Sequence, residues 1–176
     1  LVPPCGVLPL EGVSLCAAPL AFLGSSLDDI YPLYRAMFCR YFVLLRGIGG
    51  RKEALPALLS LFDTLVGSAI PQVLLHLREV GVDPATIVLP WIVRGFAGVL
   101  PAEQVLLLWD RVVGYDTVVL FPTLAAALFC YRARLLASAR CEADVKLLFG
   151  DLSGILAIPL LQQFLFAPPA ANPFEV

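Results

Sequence analysis

Proline interrupts every long uncharged stretch of this chain, and that feature limits what the stretches can become. The longest runs from Leu152 to Phe174 and carries Pro159, Pro168, Pro169 and Pro173. Gly12 to Leu27 carries Pro19 with Gly24, Ser25 and Ser26, and Thr117 to Tyr131 carries Pro122. A bilayer-crossing helix needs about 20 predominantly apolar residues in succession. Proline inside a helix removes a hydrogen bond and clashes with the turn before it. None of the three runs is a clean span. Yet the chain is 60% hydrophobic and only 15% charged, with a mean hydropathy of +0.88. So much apolar surface within 176 residues predicts one domain, 1–176, with a thick core. A membrane-associated helical protein is the alternative that the hydropathy carries. The start, Leu1-Val2-Pro3-Pro4, has neither the basic segment nor the methionine of a signal peptide and reads as a cut end.

Charge and cysteine usage exclude further classes. Twelve Lys and Arg against 14 Asp and Glu give a net charge of −2, which argues against a basic nucleic-acid-binding face. The five cysteines, Cys5, Cys16, Cys39, Cys130 and Cys141, form no Cys-x-x-Cys pair, and the one histidine, His76, has no cysteine near it in sequence. That spacing offers no zinc site. Buried free thiols in a reducing compartment are expected instead.

The apolar period is helical. Leu55, Leu58, Leu59, Phe62, Leu65 and Val66 fall on one face of a 3.6-residue helix between Glu53 and Gly67. Ile30, Leu33, Tyr34, Met37, Phe38, Tyr41 and Leu45 predict a second helix from Asp28 to Leu45, with Asp28 and Asp29 at its positive end. Ser68 before Pro71, Asp83 before Pro84, and Leu100 before Pro101 mark three more starts. Gly47 to Gly50, Gly67, Gly81, Gly114 and Gly150 mark stops. Thr117-Val118-Val119 lacks alternating partners for a strand. An antiparallel, all-α stack follows, with an irregular start over 1–10 and an extended proline-rich tail over 167–176.

Self-contained chemistry does not emerge. Gly12-Val13-Ser14-Leu15-Cys16 falls one glycine short of a nucleophile elbow and has no strand leading into it. His76 sits in an apolar stripe and reads as a polar-edge or capping residue. The glycines beside Ile48 have no Gly-Lys-Ser/Thr after them, so they are no phosphate loop. Arg46, Arg51 and Lys52 form a small basic cluster, read as a solvated corner rather than an anion site, with a contact to an acidic partner as the alternative. No metal or cofactor is implied.

One stretch is specific. Leu74-Leu75-His76-Leu77, Gly81-Val82-Asp83-Pro84, Trp91, Phe96, Leu100-Pro101, Val105, Leu108-Trp109-Asp110, Gly114 and Leu120-Phe121 follow one another without a gap. The pattern resembles the carboxyl-terminal portion of the TBC domain, the all-helical domain of Rab GTPase-activating proteins. Upstream, Pro9-Leu10-Glu11-Gly12-Val13-Ser14, leading into Ala17-Ala18-Pro19, is similar to the family's Tyr-x-Gln-Gly-Met-Asn segment. The likeness extends from Val7 to Phe166. It implies that Pro84, Trp91, Phe96, Pro101, Trp109 and Asp110 are structural. The three aromatics are expected in the core; Asp110 is read first as a buried or capping hydrogen bond to a neighbouring helix end, with a partner-facing position as the alternative. Glu11, Gly12 and Ser14 are the positions tied to a partner's nucleotide.

The departures weaken the expected activity. Active members of the family supply an arginine and the glutamine of Tyr-x-Gln to a Rab-bound GTP. Here no arginine precedes Glu11, and Glu11 itself stands at the glutamine position with Pro9 in place of the tyrosine. A carboxylate cannot donate a hydrogen bond as an amide does, and it puts negative charge beside the γ-phosphate. Loss of an arginine finger costs on the order of 10³ to 10⁵ in rate. The resemblance then implies a divergent member, of the kind found in the ciliary Broad-minded type. It would be a cytoplasmic or ciliary trafficking scaffold that binds a Rab-like GTPase or another protein, with weak or no GTPase activation. The alternative is an active GTPase-activating protein whose arginine segment is missing from this sequence. Within it, Arg35, Arg40 and Arg46 are replacement candidates by residue type alone.

Overall fold

The computed structural model describes residues 14–24, 26–47 and 54–166. Expectations for 1–10 and 167–176 lie outside the described residues. Among those described, the protein is all-α, with no strand. A 3₁₀ turn, Ser14–Cys16, leads into α1 (Ala18–Ala21) and α2 (Leu27–Met37). A π-helical turn, Phe38–Phe42, and a 3₁₀ turn, Leu44–Arg46, complete the first region. The helices α3 (Leu55–Ala69), α4 (Pro71–Glu79), α5 (Pro84–Val93), α6 (Ala102–Tyr115) and α7 (Leu120–Tyr131) follow. Three shorter ones close the fold: α8 (Ala133–Leu136), α9 (Glu142–Leu148) and α10 (Ala157–Phe166).

The uncharged run at Thr117 becomes the axis of the core. Every residue of α7 from Phe121 to Cys130 is buried, and α3, α5, α6, α8 and α10 all pack on it. A helix apolar on all sides has to be enclosed on all sides. Pro122 sits in its first turn, where the missing N–H breaks no helical bond. Aromatic rings knit the layers: Phe62 meets Phe129 edge-on at 5.2 Å, and Trp91 meets Phe149 at 5.0 Å. Gln104 on α6 accepts from the Ala157 N–H at 2.9 Å and so caps α10.

Several boundaries differ from the pattern, each for a local reason. Gly67 does not end α3, which continues to Ala69 and turns into Pro71 of α4. Ser68 is inside α3, where its hydroxyl donates back to the Leu65 carbonyl at 2.9 Å, so it is not a cap. Gly114 likewise lies inside α6; the helix stops when Asp116 takes a left-handed conformation, φ +52. Asp83 does cap α5, accepting from the Ala85 N–H at 3.0 Å with Pro84 in the first turn. The helix expected to run from Asp28 to Leu45 is α-helical only to Met37. There the Val43 N–H reaches back five residues to the Phe38 carbonyl at 2.9 Å, opening a π turn. That extra residue lets Tyr41 and Phe42 both enter the core while Arg40 stays outside.

No single helix among the described residues is long and apolar enough to cross a membrane. Together α3 and α4 reach the length and composition, but the chain bends by 113° between them. The cysteines correct another expectation: Cys16 and Cys130 are buried, whereas Cys39 and Cys141 are exposed. Burial pushes the Cys130 thiol up to about 12, so it stays protonated.

Candidate functional site

Of the three positions expected to face a nucleotide, Glu11 and Gly12 lie outside the described residues and Ser14 is exposed. The turn that Ser14 opens rests on the loop from Arg94 to Leu100, between α5 and α6. Leu15 packs toward Gly98, and the Cys16 thiol faces the Arg94 carbonyl at 3.7 Å. This loop is held in a costly conformation: Gly95, Phe96 and Gly98 have φ of +54, +66 and +75. A bulky residue in the left-handed region costs about 1–3 kcal/mol and persists only where its surroundings enforce it. Phe96 is fully buried, and its N–H donates to the Trp91 carbonyl at 2.8 Å.

Gly95 is the position where a side chain would be most crowded. A Cβ there would lie 3.0 Å from the Trp109 Nε1 and 3.3 Å from Phe121 and Phe42. The close approach allows Trp109 Nε1–H to donate to the Gly95 carbonyl at 2.7 Å, while Phe42 meets the indole edge-on at 5.0 Å. Trp109 thus ties α6, the strained loop and the π turn together. Trp91, Phe96 and Trp109 are all buried, as is Pro84, and Pro101 precedes the first residue of α6. Asp110 does not make the buried or capping bond preferred for it. It is exposed, paired at 2.9 Å with its neighbour Arg111, and caps no helix. Residue 110 follows the buried Trp109 by one step, about 100° round the helix, which turns it to solvent.

The arginines are sorted by their surroundings. Arg40 is exposed and grips Asp116 with two nitrogens, Nε at 2.8 Å and Nη2 at 2.5 Å. The Tyr41 hydroxyl donates to the same carboxylate at 2.9 Å. These bonds hold the Asp116 carboxyl below its usual range, whereas burial, foremost, raises the Tyr41 hydroxyl. The three side chains line a cavity with Leu44, Thr117 and Val118. Arg35 is exposed on α2. Arg46 is the largest departure from expectation: instead of a solvated corner it is 1% exposed. Arg51 and Lys52, its expected neighbours in the basic cluster, lie outside the described residues. Arg46 lies over the Phe38 ring at 5.4 Å, and its Nη2 donates to the Cys16 sulfur at 3.8 Å. Its Nε and Nη1 are buried with no hydrogen-bond partner. Burial raises the Cys16 thiol, against the opposing pull of Arg46 and Arg94.

His76 is the edge residue that its stripe suggested. Its Nε2 lies 2.8 Å from the Ala139 carbonyl and must carry the proton, since a carbonyl only accepts. Among the described residues no three His, Cys, Asp or Glu side chains gather as metal ligands. Sequence reasoning overlooked Asp116 and Arg94. The first follows Gly114 and Tyr115 at the true helix end. The second lies two residues before Phe96 on the loop beneath Ser14.

Among the described residues, then, an all-helical domain is anchored by Trp109 on the strained loop that carries the Ser14 turn. The Rab-GTPase-TBC domain family matches residues 10–136, and the chain belongs to that family. It is 41% identical over 165 residues to human TBC1 domain family member 19, across 94% of this chain and 31% of that protein. A TBC domain-containing protein kinase-like protein of Dictyostelium discoideum is 30% identical over 59 residues, 34% of this chain and 6% of that one. The chain thus spans about a third of the human relative. No solved structure matches. The family match stops at the end of α8, short of the Phe166 limit expected from motifs, although α10 is packed into the same core.

Proposed function

We propose that this chain is a non-catalytic TBC module: a cytoplasmic trafficking scaffold that binds a Rab-family GTPase or another protein and stimulates hydrolysis weakly or not at all. Glu11 at the glutamine position carries the reading, because a carboxylate beside the γ-phosphate opposes the charge that develops during phosphoryl transfer. The state of two of the three candidate arginines supports it, Arg35 being exposed on α2. Arg40 is committed to Asp116, and Arg46 is enclosed. A second reading draws on the chain's 31% coverage of its human relative: an active GTPase-activating protein in which residues outside this sequence supply the arginine.

Single-turnover GTP hydrolysis by a Rab panel, with and without the chain, separates the two. The scaffold reading expects saturable binding to at least one Rab, no acceleration, and no gain from Glu11→Gln. Acceleration by the chain as it stands overturns it. Acceleration only after residues from a longer parent sequence are added supports the second reading. Failure to bind any Rab in either nucleotide state removes the GTPase from the proposal.

A further inference from the structure

The pairing of Arg40 with Asp116 leaves part of the guanidinium unused. Arginine carries five N–H donors in a planar fork. Asp116 takes two of them along one edge, from Nε at 2.8 Å and Nη2 at 2.5 Å. Nη1 makes no hydrogen bond to a described residue, so the end-on edge, Nη1 with the second hydrogen of Nη2, is open. Asp116 itself is nearly filled, since the Tyr41 hydroxyl also donates to it at 2.9 Å. Thr117 adds a donor: its Oγ1 accepts from the Val119 N–H at 3.3 Å, and its own hydrogen has no partner among the described residues. These four side chains line one cavity of about 220 Å³, completed by Leu44 and Val118. Unused donors there outnumber unused acceptors. Both elements that bring the groups together depart from regular helix. Arg40 and Tyr41 lie in the π turn, and Asp116 ends α6 at φ +52. Such departures cost energy and recur at binding sites.

We propose that this cavity is a socket for one carboxylate side chain, that of a glutamate on a partner polypeptide. The open edge of Arg40 offers the forked pair of N–H groups that matches a carboxylate. Thr117 offers a further donor, and Leu44 and Val118 give an apolar wall for the methylene stem. The volume suits a single side chain, being below the about 300–1,000 Å³ of pockets that enclose whole small ligands. Asp116 selects the charge. Arg40 is the one cation lining the cavity among the described residues, and Asp116 already balances it. A phosphate dianion would therefore meet net repulsion, whereas a monoanion on the open edge gains two charge-assisted bonds. Asp116 also holds the guanidinium in place before a ligand arrives, which lowers the cost of ordering it. The socket goes beyond the scaffold reading and needs no GTPase.

The test is an NMR titration of the intact, nitrogen-labelled chain with the peptide acetyl-Ala-Ala-Glu-Ala-Ala-amide at constant ionic strength. Its glutamine counterpart is the charge control, and Arg78→Gln is the remote protein control. Saturable shifts of the Tyr41, Thr117 and Val118 amides are expected with the glutamate peptide, in the unaltered chain and in Arg78→Gln alike. The glutamine peptide should bind at least several-fold more weakly. Arg40→Gln should abolish the shifts, Arg40→Lys should weaken them because an ammonium offers no fork, and Thr117→Val should weaken them less. No saturable shift, or shifts centred elsewhere, overturns the socket. So does equal binding of the two peptides, or unchanged affinity in Arg40→Gln. If Arg40→Gln fails to fold, Arg40→Lys decides, and affinity equal to that of the unaltered chain overturns the forked contact. Propionate separates the sources: weaker binding than the glutamate peptide supports a protein side chain, and binding at least as tight overturns that assignment. No Rab is present in these titrations, so their failure leaves the GTPase reading untouched.

Discussion

The two halves of the molecule are built under different pressures. From α5 to α7 the aromatics of the core, Trp91, Phe96, Trp109, Phe121 and Phe129, are enclosed, while Tyr115 and Tyr131 are exposed, and the polar groups that position the helices are bonded: Asp83 caps a helix, Trp109 bonds Gly95, and Thr123 bonds the Val119 carbonyl at 2.8 Å. From Ser14 to Arg46 the core is fed by Leu20, Met37, Tyr41, Phe42 and Leu45, but the balance differs. Phe22, Leu27 and Tyr31 are 75%, 82% and 67% exposed, while a guanidinium lies buried with two nitrogens unpaired. Apolar groups outside and a charge inside are what packing alone would not select. Trp91, Phe96 and Trp109, the aromatics on which the family likeness was read, all lie buried in the first of these halves.

If that contrast is right, the largest effect belongs to Trp109. Trp109→Ala removes a 2%-exposed indole together with its bond to Gly95. It should cost about 3–5 kcal/mol in denaturant unfolding. A loss below about 1 kcal/mol would mean that the core relaxes around the gap and that the tightly packed half is not tight. Gly95→Ala comes next at about 1–3 kcal/mol, since the new methyl meets Trp109 at 3.0 Å on a backbone of positive φ. The double variant Trp109→Ala, Gly95→Ala sharpens the point. Removing the indole makes room for the methyl, so the two costs should fall short of adding.

The first region predicts the opposite sign. Exchanging a buried, incompletely paired charge for a hydrophobe of similar volume is often neutral or stabilising. Arg46→Met should therefore unfold within about 1 kcal/mol of the unaltered chain, or above it. Strong destabilisation would show that Arg46 is satisfied in a way that its unpaired nitrogens do not reveal, and it would erase the contrast between the halves.

How much of this was legible in the sequence follows the same division. Periodicity found α3, proline placed the starts of α4 to α6, and the ordered run of Trp91, Phe96 and Trp109 carried the fold, because these are consequences of local geometry and burial. Gly67 and Gly114 misled as stops, since glycine lies inside a helix wherever tertiary contacts outweigh its cost. The π turn had no signal in the spacing of Phe38, Tyr41 and Leu45, as one inserted residue leaves the apolar stripe looking regular. Arg46 was read as a solvated corner beside Arg51 and Lys52, for nothing in sequence announces that Cys16 and Phe38 fold over it. Asp110 shows the limit of carrying a motif over. The residue is present, but its environment is its own.

The smallest effect tests the latch that joins the halves. Arg40, Tyr41 and Asp116 link the π turn to the end of α6, and Asp116 holds a left-handed backbone that asparagine also tolerates. The bonds from Arg40 and Tyr41 lower the Asp116 carboxyl in the folded state. Its contribution is therefore fully present above the unfolded carboxylate value of about 3.9 and is lost as the pH falls through the lower folded value. Both partners are well exposed, so water and salt screen the pair and keep the effect small. Thermal midpoints followed from about pH 6 down to about pH 3 should fall slightly more steeply for the unaltered chain than for Asp116→Asn, and the gap should narrow in high salt. Parallel slopes would mean that the ion pair adds nothing to the joint, leaving Phe42 against Trp109 to hold the π turn to the rigid half.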